Sequence, residues 1–333
     1  MVHGGRSLLG IRGESLAWLR GILERALTLP RRAAAVGERS GFDRKSETHP
    51  LRSGLVETGE PTLAGRTIAT VFFEDSTRTR TSFTLAGRRL GAEVVDLSTG
   101  SSSLNKGESV VDTARTLAAM GVDAMVVRSA LAGAPGVVAR AVPGVSVINA
   151  GDGRHEHPTQ ALSDALTIAE AFGRGSFDFS GLRVAIVGDV GASRVARSNV
   201  ALLTGLGAAV VCAGPPGLVP RTLEGLGCQV CWSMDEAIAS ADVVMMLRIQ
   251  FERQGAGRGV IASKRAYRGG YGLTVERAAR LGDSVVVMHP GPVNRGVEMD
   301  AAVADGERSL ILRQVENGVR VRMAVLEACC GRV

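Results

Sequence analysis

Thr67-Ile68-Ala69-Thr70-Val71-Phe72-Phe73-Glu74-Asp75-Ser76-Thr77-Arg78-Thr79-Arg80 decides how this chain folds. The apolar run Thr67–Phe73 has the length and β-branched content of a buried strand, and Ser82–Leu90 carries a helix pattern. The turn between them places three hydroxyls, Ser76, Thr77 and Thr79, and two guanidiniums, Arg78 and Arg80, where a helix begins. A helix N-terminus offers unpaired N–H groups and roughly half a positive charge. Arg in a first turn opposes that dipole, so the arrangement makes sense around an anion, and phosphate suits these donors. The alternative is a Ser76 or Thr77 N-cap followed by a solvated basic turn. The loop lacks the G-x-x-x-x-G-K-S/T of a P-loop, and it is not a dinucleotide fingerprint.

Outward from this unit, strand and helix patterns alternate. Strand-like runs recur at Glu93–Leu97, Ala124–Val127, Val145–Asn149, Val184–Val187, Ala209–Cys212, Val243–Leu247 and Val285–Met288. Such alternation predicts an α/β fold of parallel sheets covered by helices on both faces. The Gly-rich break Gly173-Arg174-Gly175-Ser176, after which Leu182–Gly188 starts afresh, favours two open sheets over one barrel. We expect two domains. The first spans residues 1–160, to which a final helix, residues 313–333, returns with Val315, Val319, Met323 and Leu326 near helical spacing. The second spans residues 161–312. An amphipathic helix is expected over Leu16–Leu29, and a polar surface loop from Pro30 to Gly59.

The 333 residues suffice for two cores. A net charge of +6 is compatible with nucleic acid, but no basic tail or aromatic–basic interleaving stands behind it, and a small acidic substrate explains it equally well. No apolar run reaches about 18 residues and no signal-peptide pattern opens the chain, so a cytoplasmic protein without a membrane span is expected. The five cysteines include a lone Cys228-x-x-Cys231 pair, too few ligands for structural zinc, and read as reduced thiols.

In open α/β sheets ligands bind beyond the carboxyl ends of the strands. Arg128 ends one run. His157 follows another, before Pro158, with Gln160 one turn on; such a His can donate to an oxyanion. His155 and His157, two residues apart in a loop, are weak as metal ligands. Gly188–Arg197 does not have nicotinamide spacing and contains Arg194. Arg248 and Gln250 share one side of an extended segment, a good pair for a carboxylate. His289-Pro290-Gly291-Pro292 is a stiff loop, and Ser101–Gly107 a small polar loop with one Lys. No Ser–His–Asp triad, reactive Cys or metal cage accompanies these residues. They point to transfer between two anionic substrates by positioning and electrostatics.

The ordered motifs at Phe72–Phe83, Ser102–Ser109, Asn149–Asp164, Gly188–Asn199, Met246–Arg253 and Met288–Gly296 resemble the aspartate/ornithine carbamoyltransferase family, in its aspartate branch. Thr159 before Gln160, Gly291 in the proline loop and the Arg248-x-Gln250 pair separate the chain from the ornithine branch. The resemblance implies transfer of the carbamoyl group of carbamoyl phosphate to L-aspartate in pyrimidine biosynthesis, with no cofactor or metal. It implies that Ser76, Thr77, Arg78 and Thr79 hold the phosphate. Arg128, His157 and Thr79 would face the carbonyl oxygen, and Gln160 the amide nitrogen. Arg194, Arg248 and Gln250 would read the aspartate carboxylates. Ser102 and Lys106 would reach a neighbouring subunit's site in a homotrimer, with Lys106 serving both substrates. Gly291 and Pro292 would line the site, and Glu74 would pair with Arg194 and Arg253 on domain closure. A regulatory chain or a dihydroorotase-like protein are the partners the family suggests. Ser129, where many relatives carry His, is expected to cost a contact beside Arg128. The competing expectations are a silent scaffold for a dihydroorotase-like partner, against which the intact motif residues argue, and a transcarbamoylase for another amino acid.

Overall fold

The computed structural model describes residues 6–31, 61–98, 109–249 and 261–331. Helix α1, Leu16–Thr28, starts on Ser15, whose hydroxyl accepts from the Trp18 N–H. There follow β1 (Thr67–Phe72), α2 (Thr77–Arg89), β2 (Glu93–Ser98), α3 (Val110–Ala119), β3 (Ala124–Ser129), α4 (Ala134–Ala141), β4 (Ser146–Asp152) and α5 (Pro158–Ala171). The second half runs β5 (Arg183–Val187), α6 (Arg194–Gly205), β6 (Ala209–Ala213), β7 (Gln229–Cys231), α7 (Met234–Ile238), β8 (Val243–Met246), α8 (Lys264–Tyr271), α9 (Val275–Ala278), β9 (Val286–Met288), α10 (Ala301–Ala304) and α11 (Ile311–Cys330).

The strands form two all-parallel sheets, ordered β2-β1-β3-β4 and β7-β6-β5-β8-β9. Alternate residues of each strand serve opposite faces. In β1, Ile68 and Phe72 join a core shared with α5 and α11, whereas Ala69 and Val71 pack with Leu117 and Val138 on the other face. In β5, Val184 and Ile186 belong to that shared core, and Ala185 and Val187 to a separate one with Met234 and Ile238. Burial on both faces is why these strands read as continuous apolar runs.

Three local differences from the sequence reading have simple causes. Helix α2 starts at Thr77, earlier than Ser82, because its first turn is polar and carries no apolar period. Strand β3 extends through Ser129, so Arg128 lies inside it, in register with Phe72. Strand β7 is an edge strand of only three residues, too short for a pattern to announce.

Helix α11 returns to the first sheet, packing on α5, α2 and α1. Arg320 fastens it there. Its guanidinium donates to the Leu27 and Leu29 carbonyls, at 2.9 and 3.1 Å, and to Glu170 at 2.6 Å, satisfying acceptors at the C-terminus of α1. Of the apolar positions expected to face inward on this helix, Val315 is instead half exposed, at the mouth of a cleft. No helix among the described residues is long and apolar enough to cross a membrane. The five cysteines are free thiols, four of them buried. Most of the expected Pro30–Gly59 loop, together with Ser102, Lys106, Gln250 and Arg253, lies outside the described residues.

Candidate active site

From β1 the chain crosses to β2 and from β3 to β4, in opposite directions along the strand order, as it does from β5 to β6 and from β8 to β9 in the other sheet. Ligands settle at such switch points. Between the two sheets' carboxyl ends lies a cleft of about 820 Å³. It is lined by the β1–α2 loop, Arg128, the start of α5, the β5–α6 loop, Arg248 and the His289–Pro292 loop.

Ser76 occupies the N-cap position of α2, but its hydroxyl makes no capping bond. Elsewhere Ser15, Ser109, Ser193, Ser233 and Ser263 each accept from the backbone N–H three residues on. Ser76, Thr77, Arg78 and Thr79, the N-cap and first turn of α2, all line the cleft. Arg80, two residues on and so on the other side of the helix, turns away. It lies 3.5 Å from Asp96 and over the Phe72 ring. Helix α6 mirrors α2: Ser193 caps it, and Arg194 follows at its first position against the dipole. Two helix N-termini, each carrying an Arg, thus border one cavity.

Glu74 sits between the halves. Its Oε2 accepts from Arg194 at 2.8 Å and lies 3.7 Å from Arg128. The expected Glu74–Arg194 pair is therefore present, with Arg128 joining it. Arg128 also donates to the Ala150 carbonyl at 3.0 Å. This crowding requires Gly151: its φ is +114°, and a Cβ would come within 3.0 Å of both guanidiniums. Ser129, beside Arg128, is not idle; its hydroxyl accepts from the Leu131 N–H at 3.0 Å.

His157 is buried at the start of α5, and its Nδ1 has no hydrogen-bond partner among the described residues. The His157 backbone N–H donates to the Ser198 hydroxyl, which donates to Glu156, whose carboxylate accepts the Ile11 and Arg12 N–H groups. Burial, then the charges of Arg128, Arg194 and Arg322, hold the imidazole well below its usual range, so it is neutral at pH 7. Burial and the facing charge of Arg248 lower the pKa of Arg78. His155 instead pairs with Asp152 at 3.0 Å, which organises the turn before α5. Among the described residues no group of three or more His, Cys, Asp or Glu side chains is placed to hold a metal.

Several cleft groups escaped the sequence reading. Arg322 reaches the cavity from α11, with a pKa pulled down to about 10 by burial, against which Asp164 pulls up. Its signal was hidden beside Met323 in an apolar pattern. Asp164, fully buried one turn beyond Gln160, holds that cleft residue from behind and could have been found as a charge on the same side of α5. Gln314, from α11, donates to Asp164 directly, and the His289 backbone N–H donates to the Gln314 side-chain oxygen. Among the described residues five guanidiniums, Arg78, Arg128, Arg194, Arg248 and Arg322, line the cleft with three carboxylates, Glu74, Asp75 and Asp189. Such a cavity concentrates anions.

The sequence matches the families described as aspartate/ornithine carbamoyltransferase, carbamoyl-P binding domain, over residues 15–170, and aspartate/ornithine carbamoyltransferase, Asp/Orn binding domain, over residues 180–329. The aspartate carbamoyltransferase catalytic subunit of Gluconacetobacter diazotrophicus is 53% identical over 282 residues, covering 85% of this chain and 86% of the relative. Among solved structures, aspartate transcarbamoylase from Trypanosoma cruzi in complex with carbamoyl phosphate and aspartate superposes with a TM-score of 0.78 at 26% identity, covering 98% of this chain and 96% of the other. Ornithine carbamoyltransferase from Pyrococcus furiosus superposes equally well, with a TM-score of 0.79 at 26% identity over 100% of this chain and 99% of that one. Backbone likeness therefore does not separate the two branches, but the matched sequence domains leave no doubt of the stock: this chain belongs to the aspartate/ornithine carbamoyltransferase family.

Proposed function

We propose that this protein transfers the carbamoyl group of carbamoyl phosphate to the amine of L-aspartate, releasing phosphate and N-carbamoyl-L-aspartate. The observation that carries the reading is the excess of guanidiniums over carboxylates around one cleft, with Arg248 contributed from the second sheet. Ornithine would bring an ammonium into this field. Aspartate brings a second carboxylate, which the field favours. The identity to aspartate carbamoyltransferase catalytic subunits supports the same choice.

In this reading Ser76, Thr77, Arg78 and Thr79, with the N-terminus of α2, hold the phosphate. Arg128, Thr79 and the neutral His157 face the carbamoyl oxygen, and Gln160 faces its NH2. Arg194, Arg248 and Gln250 bind the aspartate carboxylates, while Gly291 and Pro292 line the carbamoyl side. Glu74 couples the halves through Arg194 and Arg253. The residues 1–160 with the C-terminal helix form the carbamoyl phosphate domain, and residues 161–312 the aspartate domain. The amine lone pair attacks the carbamoyl carbon, and the negative charge that gathers on oxygen meets Arg128 and His157. The C–O bond to phosphate then breaks, and the departing phosphate takes a proton from the amine. No protein nucleophile is needed, because positioning and electrostatics supply the acceleration.

Ser102 and Lys106 complete a neighbouring subunit's site in a cytoplasmic homotrimer. Lys106→Ala and Arg78→Ala proteins, each inactive alone, should regain activity when mixed and reassembled. No recovery after proven subunit exchange would place Lys106 in its own chain's site. A single molecule joining a phosphonate to a succinate through a carbamoyl-like link tests the two-anion cleft. It should compete with carbamoyl phosphate far better than a simple phosphonate, because one association cost replaces two. Equal affinity would separate the two anion sites and remove the aspartate assignment.

A further inference from the structure

Three side-chain amides from three helices converge on one buried carboxylate. Asp164 Oδ1 accepts from Gln160 Nε2 and Gln314 Nε2, each at 2.8 Å, and Oδ2 accepts from Asn199 Nδ2 at 2.8 Å. Gln160 lies one turn earlier on α5, Asn199 on α6 and Gln314 on α11. An ionised carboxylate only accepts hydrogen bonds, so each amide must turn its nitrogen inward and its oxygen away. For Gln314 the outward oxygen accepts the His289 N–H at 2.9 Å, and His289 Nδ1 in turn accepts the Gly291 N–H at 2.7 Å. For Gln160, which lines the cleft, the outward group is likewise an acceptor.

We infer that Asp164 is a positioning residue for substrate choice. It locks the Gln160 amide with oxygen toward the cleft and, through Gln314, sets the His289–Pro292 backbone, so that the site accepts hydrogen bonds from the carbamoyl NH2. The inference rests on the proposed reading that Gln160 faces that group. Asp164 touches no substrate. It acts by forbidding the flipped amide, which would set oxygen against carboxylate and offer a donor where the substrate also donates. Arg322, from α11, is the charged neighbour that keeps the buried carboxylate tolerable. The consequence is discrimination between carbamoyl phosphate and acetyl phosphate, which has the same shape but carries a methyl in place of NH2 and cannot donate.

The test is the ratio of the affinities for carbamoyl phosphate and acetyl phosphate, measured on the full-length protein by competition. Asp164→Asn keeps the shape but turns one acceptor into a donor. The ratio should fall at least about fivefold, with acetyl phosphate affinity changed less than about twofold. A merely structural role would weaken both ligands alike. Gln160→Leu is the reference, and Asp164→Asn added to it should lower the ratio no further. If Gln160→Leu leaves the ratio unchanged, the underlying placement of Gln160 fails. If Gln160→Leu lowers it and a folded Asp164→Asn does not, the inference about Asp164 fails. Should Asp164→Asn not fold, the wild-type protein decides. Burial pushes Asp164 up to about 6, against the pull of the three amides and Arg322. Its protonation places an O–H against an amide nitrogen, so the ratio should drop as pH falls through that value. The ionisation of phosphate and of His157 acts on both ligands and cancels. A ratio that stays flat from about pH 8 to about pH 5 overturns the inference.

Discussion

Replacing Arg78 with alanine should weaken ligand binding without weakening the fold. In the free protein this guanidinium is exposed to the cleft, its pKa lowered first by partial desolvation and then by Arg248. The backbone at Gly291 lies so close that a Cβ there would come 3.0 Å from its Cζ. Arg78→Ala therefore relieves a desolvated charge and a like-charge repulsion in the empty cleft. It also removes one charge-assisted contact to the phosphate of carbamoyl phosphate, worth about 1.5–3 kcal/mol. At about 1.4 kcal/mol per decade, Kd should rise roughly ten- to hundredfold. The melting temperature of the free protein should stay level or rise. Calorimetric titration with carbamoyl phosphate and with inorganic phosphate reads the first effect, and a thermal melt without ligand reads the second. An affinity changed less than about twofold would refute the phosphate assignment. A melting temperature lowered by more than about 4 °C would make Arg78 a structural residue instead.

Glu74→Gln weakens the tie to Arg194 at 2.8 Å and to Arg128 at 3.7 Å. A loss of about 1–2 kcal/mol should raise the aspartate KM roughly five- to thirtyfold, more than it affects carbamoyl phosphate binding; a larger effect on carbamoyl phosphate would contradict the coupling role. Arg248→Ala should impair aspartate use by at least about tenfold while calorimetry finds carbamoyl phosphate affinity nearly intact; equal losses would remove the division of labour between the sheets. His157 is held well below its usual range in the folded protein. As pH falls below about 6.5 the unfolded chain takes the proton first, so this group withdraws stability downward from there. Asp164, raised to about 6, acts in the opposite sense, gaining stability as pH falls. Urea midpoints compared for wild type and His157→Asn between about pH 7.5 and about pH 5.5 isolate the first effect, and parallel pH profiles would refute it.

What the sequence made legible follows from what a local pattern can carry. Parallel strands buried on both faces must be apolar throughout, so runs such as Thr67–Phe73 and Val184–Val187 were readable, and with them the doubly covered sheets. Arg78, Arg128, Arg194 and Arg248 stood out because a cation at a strand end or helix start opposes local preference. Arg322 did not, because it enters the cleft from a helix far along the chain, among apolar neighbours that explain themselves by packing. Asp164 and Gln314 are separated by 150 positions, and only the return of α11 onto α5 brings them together. The split between Arg78 and Arg80 was missed because it depends on where the helix begins: once α2 starts at Thr77, positions two apart must face opposite ways.

Steady-state turnover with carbamoyl phosphate and either L-aspartate or L-ornithine, at one pH and ionic strength, tests the central claim most directly. A cleft with five guanidiniums against three carboxylates predicts N-carbamoyl-L-aspartate as the product. It also predicts a kcat/KM for aspartate at least about a thousandfold above that for ornithine, since the excess positive charge of the cleft repels an ammonium where it attracts a carboxylate. Comparable use of ornithine, or no turnover of aspartate by the assembled wild-type protein, would contradict it.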